Sequence, residues 1–478
     1  MSSKHKNRAQ RYTFFWTCAN FFVLLQSKML FLLFINDKMI QMKHFFSLFI
    51  IAFACTSAYA QTRYVGGDIS MLPKYEQHNS PYKDANERNI SDLLTWFIND
   101  CGWNTFRVRI FVNPQQTAKG AYDPSVCQDL AYVTALGQRI KAAGAYFMLD
   151  FHYSDEWVDA THIQAPVAWQ GKSNEAMADS VGAYTRRVLT ALNAANATPD
   201  LVQVGNEIMY GVCGIAVSPY DNPSRNANWP AFLNLLKAGC NAVREVCPQA
   251  KIIIHTDHPE RVNDTKYYYN KLVAGEVDFD IIGLSYYPFW HGYLNTTNTN
   301  LVNSLTAYAA EFPTKRLHIV ECAYNFQYWP TKGVNYDTQS IWPCSKTGQY
   351  NFVKDLVDAL KPLTNVDGIN YWFPEEAGNG DDTQDWVNGK TVLTDWLNRG
   401  FWDENASTSG HRINRTGQIT GDKTAADVCA PYYMRTFYNN ESGLAPVPTQ
   451  TQAHKYLRNG QLVIERNGVP YSADGKRM

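Results

Sequence analysis

Eight short apolar runs, each followed by a segment with helical spacing, are the feature of this sequence that most limits its fold. The runs cover 64–72, 105–112, 145–153, 201–208, 251–257, 279–288, 316–324 and 366–374. Ile252–Ile254 and Ile281–Ile282 are continuously apolar, as is typical of strands that are covered on both faces of a parallel sheet. The sequence therefore predicts an α/β fold with a parallel sheet covered by helices.

Between the runs, apolar residues recur at helical spacing. The clearest stripes are Ile90, Leu93, Leu94, Phe97 and Ile98; Leu130, Val133, Leu136 and Ile140 before Gly144; and Phe232, Leu235, Leu236 and Val243. Eight strand–helix units fill a closed (β/α)8 barrel, the TIM barrel. The alternative is an open doubly wound sheet, which needs a glycine-rich phosphate turn after its first strand. Gly66–Gly67 lacks the third glycine of that turn, so the barrel is favoured.

The two ends of the chain differ in composition from the region between them. Residues 1–60 form a leader, in which Met42 is the expected true start and the apolar stretch Phe45–Cys55 precedes a signal-peptide cleavage site after Ala60. The patch Phe14–Ile35 leaves a membrane anchor as the alternative. The barrel is assigned to 61–442, a Pro-rich linker to 443–454, and a short C-terminal β-hairpin tail to 455–478.

Charge and cysteine content limit the partners and the sites. The chain has a net charge of -1, and without the leader 36 Lys and Arg stand against 43 Asp and Glu, which gives no footprint for nucleic acid. Eight cysteines remain outside the leader, and in an exported chain they permit disulfides without fixing the pairing. No CxxC pair supports a zinc site. We expect an exported protein with no metal, no cofactor, no nucleic-acid partner and no stable membrane insertion of the mature chain.

Two glutamates end the fourth and seventh predicted strands, Glu207 after Asn206 and Glu321 after Val320. The carboxyl ends of barrel strands carry the active site, so these side chains are expected to face each other across its mouth. Glycosidic cleavage needs such a pair, because one carboxyl protonates the leaving oxygen while the other stabilises positive charge at the anomeric carbon. A single strand-end Glu is more often an ordinary salt-bridged loop residue, but the pair favours a glycosidase.

Six stretches match a known family in order and spacing. They are Gly66–Ser70, Arg107–Arg109, Asp150–Trp157, Gly205–Ile208, Ser285–Trp290 and Val320–Glu321. By these stretches the chain resembles the endo-β-1,4-galactanases of glycoside hydrolase family 53 over nearly all of its mature length. The resemblance implies that Glu207 is the general acid/base and Glu321 the nucleophile of a retaining double displacement. The implied substrate is a polysaccharide, the β-1,4-galactan of pectin or type I arabinogalactan, cut at internal bonds.

Two alternatives to this function stay open. The first is a related barrel glycosidase that acts on mannan, xylan or cellulose. The second is a surface glycan-binding protein that keeps the cleft without the chemistry. The intact motifs around Glu207 and Glu321 argue against the second alternative.

The resemblance also implies a polar and aromatic shell that binds the substrate. Its members are Asp68, Arg109, His152, Asp155, Trp157, Asn206, His255, Tyr286, Tyr287, Trp290 and Trp372. Arg107, two positions earlier on the same strand face, is the alternative to Arg109. Only one of Tyr286 and Tyr287 can point inward, because side chains alternate along a strand. The tryptophans offer flat faces for sugar C–H groups, and core packing is the alternative for each aromatic residue.

The sequence departs from the family pattern after the eighth strand. Trp372–Pro374 contains Phe373 where the family usually has Glu, so an acidic contact is missing. Glu375 and Glu376 follow in the loop, and we expect them at the rim of the cleft.

A second departure follows the seventh strand. The loop 322–328 lacks the acidic residues that bind calcium in some bacterial relatives, so no calcium is expected there. A disulfide between Cys322 and Cys344 is an alternative way to hold this loop.

Overall fold

The computed structural model describes 62–77, 81–114, 125–291, 298–326, 341–376, 399–402, 411–421, 423–438 and the backbone of three strands between 454 and 472. The predicted leader, with its start and its cleavage site, lies outside the described residues. So do 443–453 of the predicted linker and residues 327–340.

Eight parallel strands close into a barrel in chain order. They are β1 (Tyr64–Asp68), β2 (Thr105–Ile110), β3 (Tyr146–Phe151), β4 (Leu201–Val204), β5 (Lys251–Thr256), β6 (Ile281–Tyr286), β7 (Arg316–Cys322) and β8 (Val366–Trp372). Each strand pairs with the next, and β1 pairs with β8. The predicted (β/α)8 barrel is therefore confirmed. The strands end before the predicted runs do, because the last residues of each run turn into the loops at the barrel mouth.

A helix follows each strand on the outside of the barrel. The helices are α1 (Leu93–Asn99), α2 (Leu130–Ala142), α3 (Asn174–Ala194), α4 (Trp229–Val246), α5 (Val262–Ala274), α6 (Thr299–Glu311), α7 (Lys346–Leu360) and α8 (Ala430–Met434). The Asp92 side chain caps α1 by accepting a hydrogen bond from the Thr95 backbone N–H. Ile90 therefore precedes the helix and lies in a two-residue strand, although its apolar spacing predicted a helical position.

Shorter elements complete the described part of the fold. They are the helices Leu72–Gln77 and Pro223–Asn226 and the strands Tyr82–Lys83, Asn89–Ile90, Gly211–Val212, Ile215–Ala216 and His411–Arg412. The C-terminal tail consists of the antiparallel strands His454–Arg458, Gln461–Arg466 and Val469–Ser472, one strand more than the predicted hairpin. Among the described residues, no helix combines the length and the apolar character of a membrane span.

The barrel interior is layered. A small apolar cluster fills part of it, formed by Met148, Leu201, Ile253, Ile281 and Val320. Side chains two positions further along β3, β4 and β5 are Asp150, Gln203 and His255, which are fully buried and polar. Because alternate residues of a strand share one face, these polar groups form the next layer towards the carboxyl ends. The fold therefore places a buried polar network directly beneath the barrel mouth.

Candidate active site

Glu207 follows β4 in a strained turn. Its φ is 47° and that of Gly205 is 94°, both in the left-handed region. Left-handed backbone costs a non-glycine residue about 1–2 kcal/mol, and such strain is concentrated at functional sites. The turn brings the carboxylate to β6, where the Ser285 hydroxyl donates a hydrogen bond of 2.5 Å to Glu207 Oε1.

Glu321 reaches the interior because β7 contains a bulge. Leu284 of β6 pairs with Ile319, but the next residue, Ser285, pairs with Glu321, so Val320 is an extra residue. Val320 already belongs to the interior apolar cluster. In a regular strand the following side chain would therefore face the helices, and the bulge turns Glu321 inward instead.

The two carboxyl groups have different partners. Glu321 Oε1 lies 2.8 Å from the Arg107 guanidinium, and its Oε2 accepts a 2.7 Å hydrogen bond from the Tyr287 hydroxyl. Burial and the negative charge of Glu321 raise the pKa of Glu207 well above its ordinary value. Burial also raises the pKa of Glu321, but Arg107 and Tyr287 oppose that shift. Because only Glu321 has a cationic partner, we infer that Glu207 keeps its proton when Glu321 is ionised.

Arg107 is the central cation of the site. It is 1% exposed and lies 2.7 Å from Asp68 and 2.8 Å from Asp150, and its Nη2 also donates to Asn206 Oδ1 at 2.8 Å. Although burial opposes ionisation, the surrounding carboxylates raise the pKa of Arg107. The guanidinium therefore joins the loop after β4 to the ends of β1, β3 and β7.

Arg109 does not hold the place that the sequence predicted for it. Its guanidinium donates to the Ser125 carbonyl, contacts Asp68 at 3.3 Å, and lies 4.4 Å from the centre of the Trp157 ring. The prediction of Arg109 as the cation beside the cleavage site was wrong, and Arg107 holds that position. The two side chains share one face of β2, so only their depth in the barrel distinguishes them.

Of the two predicted histidines, His255 belongs to the polar layer, and His152 lies beyond it in contact with Asp150. Nδ1 of His152 accepts a 3.1 Å hydrogen bond from the Val158 N–H, and its Nε2 lies 3.2 Å from Asp150. His255 contacts the Glu207 backbone through Nδ1 and Ser285 through Nε2. Burial lowers the pKa of His152, and burial together with Arg107 lowers that of His255 well below its ordinary value. We therefore infer that His255 is neutral across the physiological pH range.

Three further polar residues of the predicted shell are held by neighbouring groups. Asn206 donates through Nδ2 to the Val158 carbonyl at 2.8 Å, which leaves one amide hydrogen for a ligand. Asp155 accepts backbone hydrogen bonds from 113 and 167, both at 2.8 Å, so it fastens two loops to the barrel. Asp68 accepts from the Ser70 hydroxyl at 2.5 Å in addition to its contacts with the arginines.

The structure decides between the two tyrosines at the end of β6. Tyr287 points inward and contacts Glu321, whereas the Tyr286 hydroxyl donates to Asn298 Oδ1 at 2.6 Å and its ring stacks on Phe352 of α7. Tyr286 therefore lies between the barrel and the helices, and its place in the predicted substrate-binding set was wrong. The physical reason is the alternation of side chains along the strand.

Aromatic rings surround the two glutamates. The Trp372 ring centre lies 5.9 Å from that of Tyr287 and 6.3 Å from that of Trp157. Trp290 is 55% exposed and, with Tyr287 and Phe289, lines a small open pocket between the ends of β6 and β7. This surface suits sugar rings, which pack their C–H groups on aromatic faces.

The loop after β8 differs from the prediction. Glu375 and Glu376 are fully buried, so their expected rim positions were wrong. Glu376 pairs with Arg399 at 3.1 Å, and Glu375 accepts a 3.0 Å hydrogen bond from the Met71 N–H. Burial and the nearby Asp68 raise the pKa of Glu375 to about 8. These carboxylates fasten the loop instead of lining the cleft.

The expected disulfide after β7 is absent from the described structure. Cys322 carries a free thiol that contacts the Asn370 carbonyl at 3.5 Å, and Cys344 contacts the Asn325 carbonyl at 3.7 Å. The alternative of a bridge between Cys322 and Cys344 was therefore wrong. The calcium expectation concerns a loop that continues beyond the described residues.

Within the described ranges, one group of side chains has the spacing of a metal site. The ligand atoms of His258, Glu260 and His291 lie within 4.8 Å of one another. Each ring nitrogen of His258, however, lies 2.9 Å from a carboxylate, of Asp257 or of Glu260. His291 Nδ1 accepts the Tyr287 N–H. Hydrogen bonds therefore already engage both ring nitrogens of His258 and Nδ1 of His291, and the group does not fit a metal site as it stands.

The sequence missed four polar residues of this network: Arg107, Asp150, Gln203 and Ser285. Arg107 was considered only as an alternative. These four residues share a sequence pattern that could have identified them. Each is a polar residue within an apolar run and lies two positions before a residue at the end of the strand. Asp150 precedes His152 in this way, and Ser285 precedes Tyr287.

Comparisons with known proteins point to one family of glycosyl hydrolases. Residues 64–409 match the family model described as glycosyl hydrolase family 53. The chain is similar to arabinogalactan endo-β-1,4-galactanase A of Emericella nidulans, with 31% identity over 71% of this chain and 92% of the relative. It is also similar to the endo-β-1,4-galactanase of Bacillus subtilis, with 28% identity over 67% of this chain and 71% of the relative.

Among solved structures, the chain resembles a family 53 catalytic domain of Ignisphaera aggregans. The TM-score is 0.63 and the identity 27%, over 75% of this chain and 95% of that domain. With the family match covering most of the chain and two inward-facing glutamates at the barrel mouth, the chain belongs to glycosyl hydrolase family 53.

Proposed function

We propose that the protein is a retaining endo-β-1,4-galactanase that hydrolyses internal β-1,4-galactosyl bonds of pectic galactan or type I arabinogalactan. The observation that carries the proposal is the pair Glu207 and Glu321, which share a buried site but have different partners. The galactanases among the relatives support the choice of substrate.

In the proposed reaction, Glu207 donates its proton to the glycosidic oxygen while Glu321 attacks the anomeric carbon. The bond to the leaving sugar breaks, and a covalent galactosyl-enzyme forms. Glu207, now ionised, removes a proton from water, which attacks the same carbon and releases Glu321. Arg107 and Tyr287 hold the Glu321 carboxylate in its ionised form until it attacks.

We also propose roles for the surrounding residues. The free amide hydrogen of Asn206 reaches the 2-hydroxyl of the sugar, a contact that strengthens in the transition state. Trp372, Trp157 and Trp290 provide stacking surfaces, and the exposed Trp290 serves a sugar unit beyond the cleavage site. His152, His255, Asp68 and Asp155 support the site through their hydrogen bonds. Arg109 supports the Trp157 ring through a cation–π contact.

The test is an assay of the purified mature protein on unbranched galactan, with mannan, xylan and carboxymethylcellulose in parallel. A galactanase releases a spread of galacto-oligosaccharides from galactan alone, and internal cutting gives that spread early. Initial products with β configuration by proton NMR indicate retention, and α products would contradict it. Activity on another glycan would favour a related glycosidase, and binding without products would favour the glycan-binding alternative.

Variants connect this activity to the two glutamates. Glu207→Ala and Glu321→Ala are each expected to lower kcat by several powers of ten, about as much as removal of a catalytic residue does in other enzymes. Both variants are expected to stay folded. The matched control is Glu245→Ala, which removes an exposed surface carboxylate of α4. Near-normal turnover in either glutamate variant would contradict the assignment.

Export is part of the proposal and rests on the sequence of the leader. Signal-peptide cleavage after Ala60 predicts a mature protein that begins at Gln61. Mass analysis of the N-terminus after expression in a secreting host tests this, and a retained leader would contradict it.

A further inference from the structure

We infer that His255 and Ser285 form a one-directional hydrogen-bond relay that places the acidic proton of Glu207 on Oε2. This inference rests on the proposed role of Glu207 as the general acid. His255 and Ser285 act as positioning residues, because both are fully buried and contact Glu207.

The direction of the relay begins with Gln203. Its Nε2 lies 2.6 Å from the Asp150 carboxylate, and its Oε1 accepts from Arg107 at 3.3 Å, so the amide orientation is fixed. The same nitrogen lies 3.0 Å from Nδ1 of His255. For the second amide hydrogen of Gln203, Nδ1 of His255 is the nearest acceptor, ahead of Asn206 Oδ1 at 3.2 Å and the Gly205 carbonyl at 3.3 Å.

The Glu207 backbone presents a second donor. Its N–H points to Nδ1 of His255 at 3.3 Å. The one nearby acceptor among the described residues is Asn206 Oδ1 at 3.1 Å, which already accepts from Arg107. Because two donors point at Nδ1, this nitrogen accepts through its lone pair and carries no hydrogen. The neutral ring therefore carries its hydrogen on Nε2.

The remaining steps follow from hydrogen-bond counting. Nε2 of His255 lies 2.9 Å from Ser285 Oγ and donates to it. The single hydroxyl hydrogen of Ser285 is then directed to Glu207 Oε1 at 2.5 Å. Since Oε1 accepts, the proton of the neutral acid resides on Oε2, which has no hydrogen bond with the described residues. Oε2 is thus the oxygen available to the glycosidic bond.

The opposite direction would not serve catalysis. With hydrogen on Nδ1, Ser285 would donate to His255, and Glu207 would donate its own proton to Ser285. That proton would face β6 and not the leaving group. In the inferred direction, the serine hydrogen bond also strengthens as Glu207 becomes negative, so it stabilises the transition state more than the ground state.

Other charged groups near Glu207 come from the end of strand β7 and from two loops. Glu321 at the end of β7, Asp257 after β5 and Asp159 after β3 each raise the pKa of Glu207, whereas Ser285 lowers it. None of these acidic groups is altered by substitution of Ser285. A shift in the serine variant therefore reports the hydrogen bond itself.

The first experiment is the pH profile of kcat/KM for Ser285→Ala. Loss of a hydrogen bond to a charged acceptor is expected to raise the pKa of the basic limb by about one to two units. On galactan, kcat is expected to fall at least about tenfold with little change in KM, whereas an aryl galactoside with a good leaving group is affected less. Ser285→Thr keeps the hydroxyl and is expected to restore the profile. Ser304→Ala, a buried serine of α6, is the control.

The profile separates the two directions. A basic limb that moves to lower pH in Ser285→Ala, or that does not move, would overturn the relay, because a serine that accepts the proton of Glu207 stabilises the neutral acid. Equal loss of activity on all leaving groups would also overturn it.

The second experiment does not depend on activity. Nitrogen-15 NMR of histidine-labelled protein, with His255→Gln for assignment, reports which ring nitrogen of His255 carries hydrogen. A protonated Nε2 supports the relay, and a protonated Nδ1 overturns it. Absence of galactan hydrolysis with the Nε2 tautomer present would reject the proposed function and leave the hydrogen-bond direction established.

Discussion

Replacement of Arg107 by methionine tests the electrostatic organisation of the site. The side chain is 1% exposed and pairs with Asp68, Asp150 and Glu321. Methionine retains much of the apolar stem but removes every donor, so three buried carboxylates lose this cation. Removal of one partner from a buried ion pair costs roughly 3–5 kcal/mol. Asp68 and Asp150 keep other partners, so we expect a loss of about 3–5 kcal/mol in the free energy of unfolding, not three times that.

The loss has a defined dependence on pH. Burial acts to raise the pKa of Asp150, but Arg107 and His152 outweigh it, so the folded pKa lies below the ordinary value. The stabilisation from this carboxylate is therefore complete above its unfolded pKa of about 3.9 and is lost as the pH falls through the folded pKa. In Arg107→Met the pKa of Asp150 rises. The difference in the free energy of unfolding between Arg107→Met and the unsubstituted protein should be largest near neutral pH. It should become smaller towards pH 4, where a protonated Asp150 needs no cation.

Urea unfolding between about pH 4 and 7 measures both effects. The matched control is Arg186→Met, because Arg186 and Glu245 form a surface pair whose side chains are 46% and 57% exposed. That substitution is expected to cost less than about 1 kcal/mol. A similar small loss for Arg107→Met, or a loss of stability that grows as the pH falls, would contradict the prediction.

Three further predictions concern single contacts. Tyr287→Phe removes the hydrogen bond to Glu321, so the pKa of the acidic limb in the pH profile of kcat/KM should rise by about one unit. The pKa of the basic limb should stay unchanged and serves as the internal control. Burial raises the pKa of Glu375 to about 8, so the carboxyl ionises at lower pH in the unfolded state than in the folded state. The free energy of unfolding should therefore fall as the pH rises from about 4.5 to 8. Glu375→Gln should remove this pH dependence, measured by urea unfolding at about pH 5 and 8. In Gly368→Ala the new Cβ would lie 1.9 Å from a buried histidine ring, so Tm should fall by several degrees. The control Gly417→Ala has open space around the new Cβ and should leave Tm unchanged. Equal shifts in Tm for the two variants would contradict this prediction.

Much of the fold could be predicted from the sequence because its signals are local. Each barrel strand is an apolar run, and α2 and α4 bury the residues that their periodicity marked, such as Val133 and Phe232. The positions of Glu207 and Glu321 at strand ends were also readable, since a parallel barrel gathers all its carboxyl ends at one mouth.

The orientation of individual side chains could not be predicted in the same way. Glu321 follows a bulge and Glu207 lies in a left-handed turn, and both features depend on pairing with neighbouring strands. Arg107 and Arg109 have the same parity, so no periodicity distinguishes the residue beside the nucleophile from the one beside Trp157. Burial of Glu375 depends on a contact with Met71, about three hundred positions away in the chain.

Phe373 stands after the eighth strand, at the position where the resemblance to the family led us to expect Glu. The ring is 4% exposed and has a φ of 56°, and it lies between two guanidinium groups, 4.9 Å from Arg109 and 4.4 Å from Arg399. A desolvated cation–π contact contributes about 2 kcal/mol, so the aromatic faces replace part of the stabilisation that a carboxylate would give these cations. Glu376 pairs directly with Arg399.

This arrangement has a consequence for the substrate. Arg399 also lies 4.5 Å from the centre of the Trp372 ring, so one face of that ring is already covered. A sugar at this position can stack only on the opposite face, and Phe373 offers no carboxylate to accept hydrogen bonds from its hydroxyl groups. Binding near β8 should therefore depend on stacking more than on hydrogen bonding. Substitution of Trp372 by alanine should raise KM for galactan more than any single removal of a polar group on that side of the cleft.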